Sequence, residues 1–158
     1  MIEGLLQMSA LTSPVPRTDQ TIVQWTATTP LDNSSRWLRK AQKRIQELAA
    51  LPENWDSYGS RPIQPAAIKG AGDLIALLSQ LRSAQPEIFP VPGGGIQLEL
   101  HNRQREIEIE ILPDGNIEYL ITDDDGQMRE GHVPAGSTGE IYRLIYWFGQ
   151  EHSKTVGF

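Results

Sequence analysis

Between residues 96 and 121 apolar and polar side chains alternate almost one for one. Ile96, Leu98 and Leu100 interleave with Gln97, Glu99 and His101; Ile107, Ile109 and Ile111 interleave with Glu106, Glu108 and Glu110; Ile117, Tyr119 and Ile121 flank Glu118 and Leu120. A period of two is the mark of a strand with one face buried, so three strands are expected here. Pro113-Asp114-Gly115 and Asp125-Gly126 are hairpin turns, and Asn102-Arg103-Gln104 is short enough to join antiparallel neighbours. A fourth strand from Gln127 to Val133 extends the meander. Ahead of it, Ile88 to Pro92 runs extended because of its prolines, and Gly93-Gly94-Gly95 releases the chain into the first strand.

A period near 3.6 governs the flanks. After a cap at Ser34 or Ser35, Leu38, Ala41, Ile45 and Leu48 form one apolar stripe with Trp37 beside it, and Pro52 stops the helix. Pro65 suits the first turn of a second helix, whose stripe is Ile68, Ala71, Leu74, Ile75, Leu78 and Leu81, bounded by Pro86. Gly70 and Gly72 within it each cost about 1 kcal/mol against Ala, so both are expected to admit a close neighbour, the sheet. Ser137 and Glu140 stand in capping-box spacing for a third helix that carries Ile141, Leu144, Ile145 and Phe148, with Tyr142 and Tyr146 beside them, and ends near Gly149.

The expected fold class is therefore α+β: two N-terminal amphipathic helices, an antiparallel meander of about four strands and a C-terminal helix. Residues 34–152 make one domain, preceded by a loosely ordered arm (1–33) and followed by a short tail (153–158). Within the arm, Thr21 to Thr26 has β propensity and suits an edge strand, with Trp25 as a packing anchor. The 158 residues suffice for one core.

Composition narrows the chemistry. With no cysteine, a disulfide framework, a thiolate nucleophile and Cys-based zinc or iron–sulfur sites are excluded. No signal-peptide pattern or run of about 20 apolar residues is present, so a cytoplasmic protein without a membrane span is expected. The formal charge of -6 opposes binding to phosphate backbones and favours basic partners. Yet Arg36, Arg39, Lys40, Lys43 and Arg44 crowd the first helix against Glu47 alone, giving a basic helix on an acidic body.

Leu51-Pro52-Glu53-Asn54-Trp55-Asp56-Ser57-Tyr58-Gly59, followed by a helix, a proline-rich stretch, Gly94-Gly95-Ile96-Gln97-Leu98-Glu99 and Glu106-Ile107-Glu108-Ile109, resembles a widespread group of uncharacterised short bacterial proteins. The resemblance covers about residues 45 to 120 and implies an architecture rather than an activity. Association of that group with small two-gene cassettes would suit an antitoxin-like or immunity-like role.

Three constellations carry candidate chemistry. Glu99, Glu106, Glu108, Glu110 and Glu118 alternate on neighbouring strands, so carboxylates should stand side by side about 5 Å apart. Such a ladder needs compensation from a basic protein partner, from a divalent cation, or from the basic first helix folded over it. Its bland alternative is a solvated face. Trp55, Asp56 and Tyr58 form either a structural lock, with both aromatics packed under the helix connection and the Asp bonding backbone amides, or a small peptide pocket. The basic cluster is a docking face for a partner or for the chain itself in preference to nucleic acid. Asp123-Asp124-Asp125-Gly126 lacks calcium-loop spacing and reads as a hairpin turn, the glycines before Ile96 enter a strand rather than a phosphate-binding helix, and His101, His132 and His152 lack paired metal spacing. No cofactor is implied. The leading expectation is a non-enzymatic interaction module using the acidic sheet face, ahead of a metal-assisted hydrolase built on the glutamates and of nucleic-acid binding by the first helix.

Overall fold

The computed structural model describes residues 33–81 and 83–150. Its elements run α1 (Asn33–Ala49), α2 (Pro65–Gln80), β1 (Glu87–Val91), β2 (Gly95–His101), β3 (Glu106–Ile111), β4 (Ile117–Thr122), β5 (Met128–Val133) and α3 (Thr138–Gly149). The strands form one antiparallel sheet in sequence order. The α+β class and the meander stand as expected, with five strands in place of four. The additional one is the proline-containing stretch expected only to be extended: Pro90 is tolerated because β1 lies at the sheet edge, where a missing N–H breaks no ladder bond. The expected strand at Thr21 to Thr26, the packing of Trp25, the arm, His152 and the tail lie outside the described residues.

Alternation dictates the layers. Ile96, Leu98, Leu100, Ile107, Ile109 and Ile111 are fully buried, whereas Glu108 and Glu110 between them stay half-exposed. One core gathers the inward side of every strand with Trp37, Ala41, Ile45 and Leu48 of α1, Ala67, Ala71, Leu74, Ile75 and Leu78 of α2, and Ile141, Ile145 and Phe148 of α3. All three helices therefore cover one face of the sheet. Trp37 is buried in the core, and Leu38, expected in the stripe, is only partly buried. The chain is already helical at Asn33, ahead of the serines expected to cap it.

Close approach between α2 and the sheet is real at one glycine and not at the other. A Cβ on Gly70 would stand 2.8 Å from Cγ2 of the buried Ile111, but at Gly72 nothing lies within 4 Å, which corrects the expectation for that residue. The glycine run before β2 also serves contact: a Cβ on Gly94 would meet the Pro62 carbonyl at 2.8 Å, and Gln64 N–H donates to the Gly94 carbonyl at 2.9 Å. This ties the start of α2 to the β1–β2 turn.

The expected capping box at α3 is not made. Ser137 occupies the cap position without a side-chain hydrogen bond, and Glu140 instead accepts the Tyr119 hydroxyl at 2.8 Å. The other end of α3 is held by the β2–β3 turn. Arg105, 2 % exposed, donates from Nη1 to the carbonyls of Trp147 and Gln150, lies over the Trp147 ring at 4.6 Å and faces Asp124 at 3.6 Å, while Asn102 donates to the Phe148 carbonyl. The carbonyls a helix leaves unpaired at its C-terminus are thus satisfied by a charged donor from the sheet.

Gly70→Ala is expected to destabilise the chain by about 1–3 kcal/mol, because Ile111 is β-branched and packed on all sides. Gly72→Ala should stabilise it by up to about 1 kcal/mol through helix propensity. Urea midpoints check the pair, and equal stability of the two variants would contradict the packing described.

Candidate functional site

Strand register sorts the outward residues into rows. Because directly paired residues share a face, one row runs Phe89, Gln97, Glu110, Glu118, His132 and the next runs Glu87, Glu99, Glu108, Leu120, Glu130. A third contains His101, Glu106, Thr122 and Met128. The predicted residues Glu99, Glu106, Glu108, Glu110 and Glu118 do lie together on this face. Glu87 and Glu130 join them; β1 was not recognised as a strand, and the alternation of β5, broken by Gly131, masked Glu130. No strand position facing this side carries Lys or Arg.

Glutamates oppose each other directly at Glu87 and Glu99, Glu99 and Glu108, and Glu110 and Glu118. Compensation within the face is local and partial: Gln97 Nε2 donates to Glu99 at 2.9 Å, and His101 stands 3.3 Å from Glu99 and 3.8 Å from Glu106. Glu110 has no such aid. Partial burial, with the Glu118 charge beside it, raises its carboxyl above the usual glutamate range. Twist of the sheet leaves a shallow depression of about 560 Å³ bordered by Glu108, Glu110, Glu118, Leu120, Glu130 and His132. Phe89 and Met128, 39 % and 63 % exposed, add apolar surface on the same side.

The basic cluster does not fold over this face. α1 packs on α2 and against β1 on the apolar side, so the expected intramolecular compensation is absent among the described residues. Arg36, Arg39, Lys40 and Lys43 are exposed, pointing away from the core. Arg44 is diverted to structure: its Nε donates to the Ile88 carbonyl at 3.2 Å and anchors the helix on β1. Glu47, at 3.8 Å from Lys43 and 3.7 Å from Arg44, makes the ion pairs of this helix.

Trp55, Asp56 and Tyr58 divide. Asp56 bonds backbone amides as expected, accepting from Tyr58 N–H at 2.9 Å and Ser60 N–H at 3.2 Å, and also takes the Ser60 hydroxyl. These bonds hold its carboxyl below the usual range, the Ser60 hydroxyl contributing most. Trp55 is half-buried and donates Nε1 to the Arg61 carbonyl. Tyr58, expected to pack beneath the connection, is instead 94 % exposed. The turn explains it: Asn54 and Ser57 adopt φ of 61° and 65°, and this tight left-handed path throws the next side chain outward.

Among the described residues no group of three or more His, Cys, Asp or Glu side chains is arranged to hold a metal ion. Asp123 shapes the β4–β5 turn, accepting Asp125 N–H and Gln127 N–H, as the turn reading requires. No described helix is long and apolar enough to cross a membrane.

Two pH effects of opposite sign follow. The depressed pKa of Asp56 means that its contribution is present above the unfolded carboxyl value and lost as pH falls through the folded one. Hydrogen-exchange protection of the Tyr58 and Ser60 amides should therefore decline on acidification, and Asp56→Asn should weaken it at every pH. The raised pKa of Glu110 acts in reverse: its favourable contribution is present below the unfolded value and is lost as pH rises through the folded one. Glu110→Gln should accordingly leave stability at neutral pH unchanged or improved, as read from urea midpoints, and a marked loss would contradict the uncompensated charge.

Comparison of the chain with family models, with curated proteins and with solved structures yields no match in any of the three.

Proposed function

We propose that this chain is a non-enzymatic interaction module whose open sheet face receives the basic surface of a protein partner. The observation that carries the reading is the set of outward rows in which glutamates oppose glutamates across the ladder, with no Lys or Arg among them and every described helix on the other side. Like charges directly opposed on a sheet are destabilising, and a cationic surface laid over them removes that penalty. Phe89, Leu120 and Met128 give such a partner apolar contact between the charges. An antitoxin-like or immunity-like subunit in a cytoplasmic bacterial pair is one concrete form of this role.

Acid–base catalysis on the same residues is less well supported, since Glu110, whose carboxyl is raised by partial burial and by Glu118, sits in an open depression with no partner group among the described residues to orient it. Phosphate binding by α1 would draw a polyanion toward a chain of formal charge -6.

Titration of a labelled lysine-rich peptide, followed by fluorescence anisotropy, tests the reading. Binding is expected to weaken about tenfold or more in Glu108→Gln/Glu110→Gln and again on raising salt from about 50 to about 300 mM, while a glutamate-rich peptide stays unbound. Failure of the wild-type chain to bind, or equal binding by the double variant, would reject the acidic face as the docking surface.

A further inference from the structure

The chain carries a surface of the kind its own sheet face calls for. Arg36, Arg39, Lys40 and Lys43 project from one exposed side of α1, and the acid within that helix, Glu47, is placed beside Lys43 and Arg44 near its far end. Neither Arg36, Arg39 nor Lys40 makes an ion pair among the described residues. The acidic rows lie on the opposite side of the sheet, so the two surfaces cannot meet within one folded domain.

We infer that the basic side of α1 in one copy docks on the acidic sheet face of a second copy of this chain; the inference rests on the reading of that face as a receptor for cationic protein surface. Dimensions match as well as sign. Successive turns of a helix rise by about 5.4 Å, and neighbouring strands are about 4.8 Å apart. A helix laid across the strands therefore brings Arg36, then Arg39 and Lys40, then Lys43 over three adjacent strands in turn, and β2, β3 and β4 each present glutamate outward. Alkyl stems of the long cationic side chains find Leu120 and Phe89 between the carboxylates.

The geometry also sets the form of the assembly. Donor and receptor surfaces lie on opposite sides of the molecule, which makes the contact heterologous: each copy offers α1 to one neighbour and its sheet face to another. Growth continues unless the rotation between copies closes a ring. Screening by salt should dissolve it, because the contact is made of exposed charges.

Sedimentation velocity on the full chain provides the test. At about 50 mM salt the mean mass is expected to rise with protein concentration, and at about 300 mM the association should fall by about tenfold or more. Arg39→Gln/Lys43→Gln and Glu108→Gln/Glu110→Gln should each stay monomeric. Mixed in equal amounts they should form a two-chain complex and nothing larger, since one retains only the receptor surface and the other only the donor. Far-ultraviolet circular dichroism establishes that each variant is folded; if Glu108→Gln/Glu110→Gln is not, Glu118→Gln/Glu130→Gln, at two exposed positions, takes its place. A wild-type chain that is monomeric at low salt, self-association that persists in either variant, or a mixture that stays monomeric would overturn the inference. Should the lysine-rich peptide bind a chain that remains monomeric, this inference falls while the receptor reading stands; should the peptide fail to bind, both fall.

Discussion

Everything in this structure depends on the parity of the β-ladder. Directly paired residues share a face, so a single register places every isoleucine of β2 and β3 inward and every glutamate outward, and a slip of one residue would bury the carboxylates in place of the isoleucines. Burial of an aliphatic side chain is worth about 1.5–3 kcal/mol, whereas an unpaired buried carboxylate is far more costly, which pins the register strongly. With the apolar side settled, the three described helices all cover it, and none of them lies on the other. Concentration of negative charge on that other face is thus a consequence of how the core is assembled. Glu110 registers the result, its carboxyl raised above the usual glutamate range by partial burial and by the Glu118 charge beside it.

Helical cover over a flat apolar face needs anchoring at its ends, and each helix has its own device. Arg44 ties α1 to the edge strand through the Ile88 carbonyl, and the contact of Gly94 with Pro62 and Gln64 seats the beginning of α2. At α3 the bond is strongest in kind, because Arg105 brings a guanidinium to the exposed carbonyls of a helix C-terminus, where charge and dipole agree. Hydrogen bonds to charged groups contribute about 1.5–3 kcal/mol each. Arg105 can be buried only because those carbonyls, the Trp147 ring and Asp124 surround it. Arg44 and Arg105 are thereby engaged in architecture, Arg44 still partly exposed and Arg105 buried.

Much of this was legible in the residues, and the parts that were not share a cause. Period two in β2 to β4 and period 3.6 in the helices are local signals, and they led correctly to the α+β class, the meander and the glutamate rows. What could not be read was which partner a polar side chain chooses across the fold. Nothing near Arg105 in the chain points to α3, since its acceptors at Trp147 and Gln150 are brought there by folding alone. Glu140 has the spacing of a capping residue, yet Tyr119 competes for it from strand β4. Glu87 and Phe89 were hidden because proline argues against strand until the edge position is known. Tyr58 was misread since aromatic residues are usually packed, and only the left-handed conformations at Asn54 and Ser57 show that its turn points it outward.

The central claim is that the glutamates of the outer face stand against each other with no Lys or Arg of the described residues over them. NMR titration of the side-chain carboxyls in the Arg39→Gln/Lys43→Gln chain, which keeps the acidic face and is expected to stay monomeric, measures this directly at low ionic strength. Glu110 should titrate above the free glutamate value of about 4.3 and shift downward when a lysine-rich peptide is added. A Glu110 that titrates at or below that value in the isolated chain, and does not move on addition of the peptide, would mean that its charge is already neutralised within the molecule and that the face is not a vacant receptor.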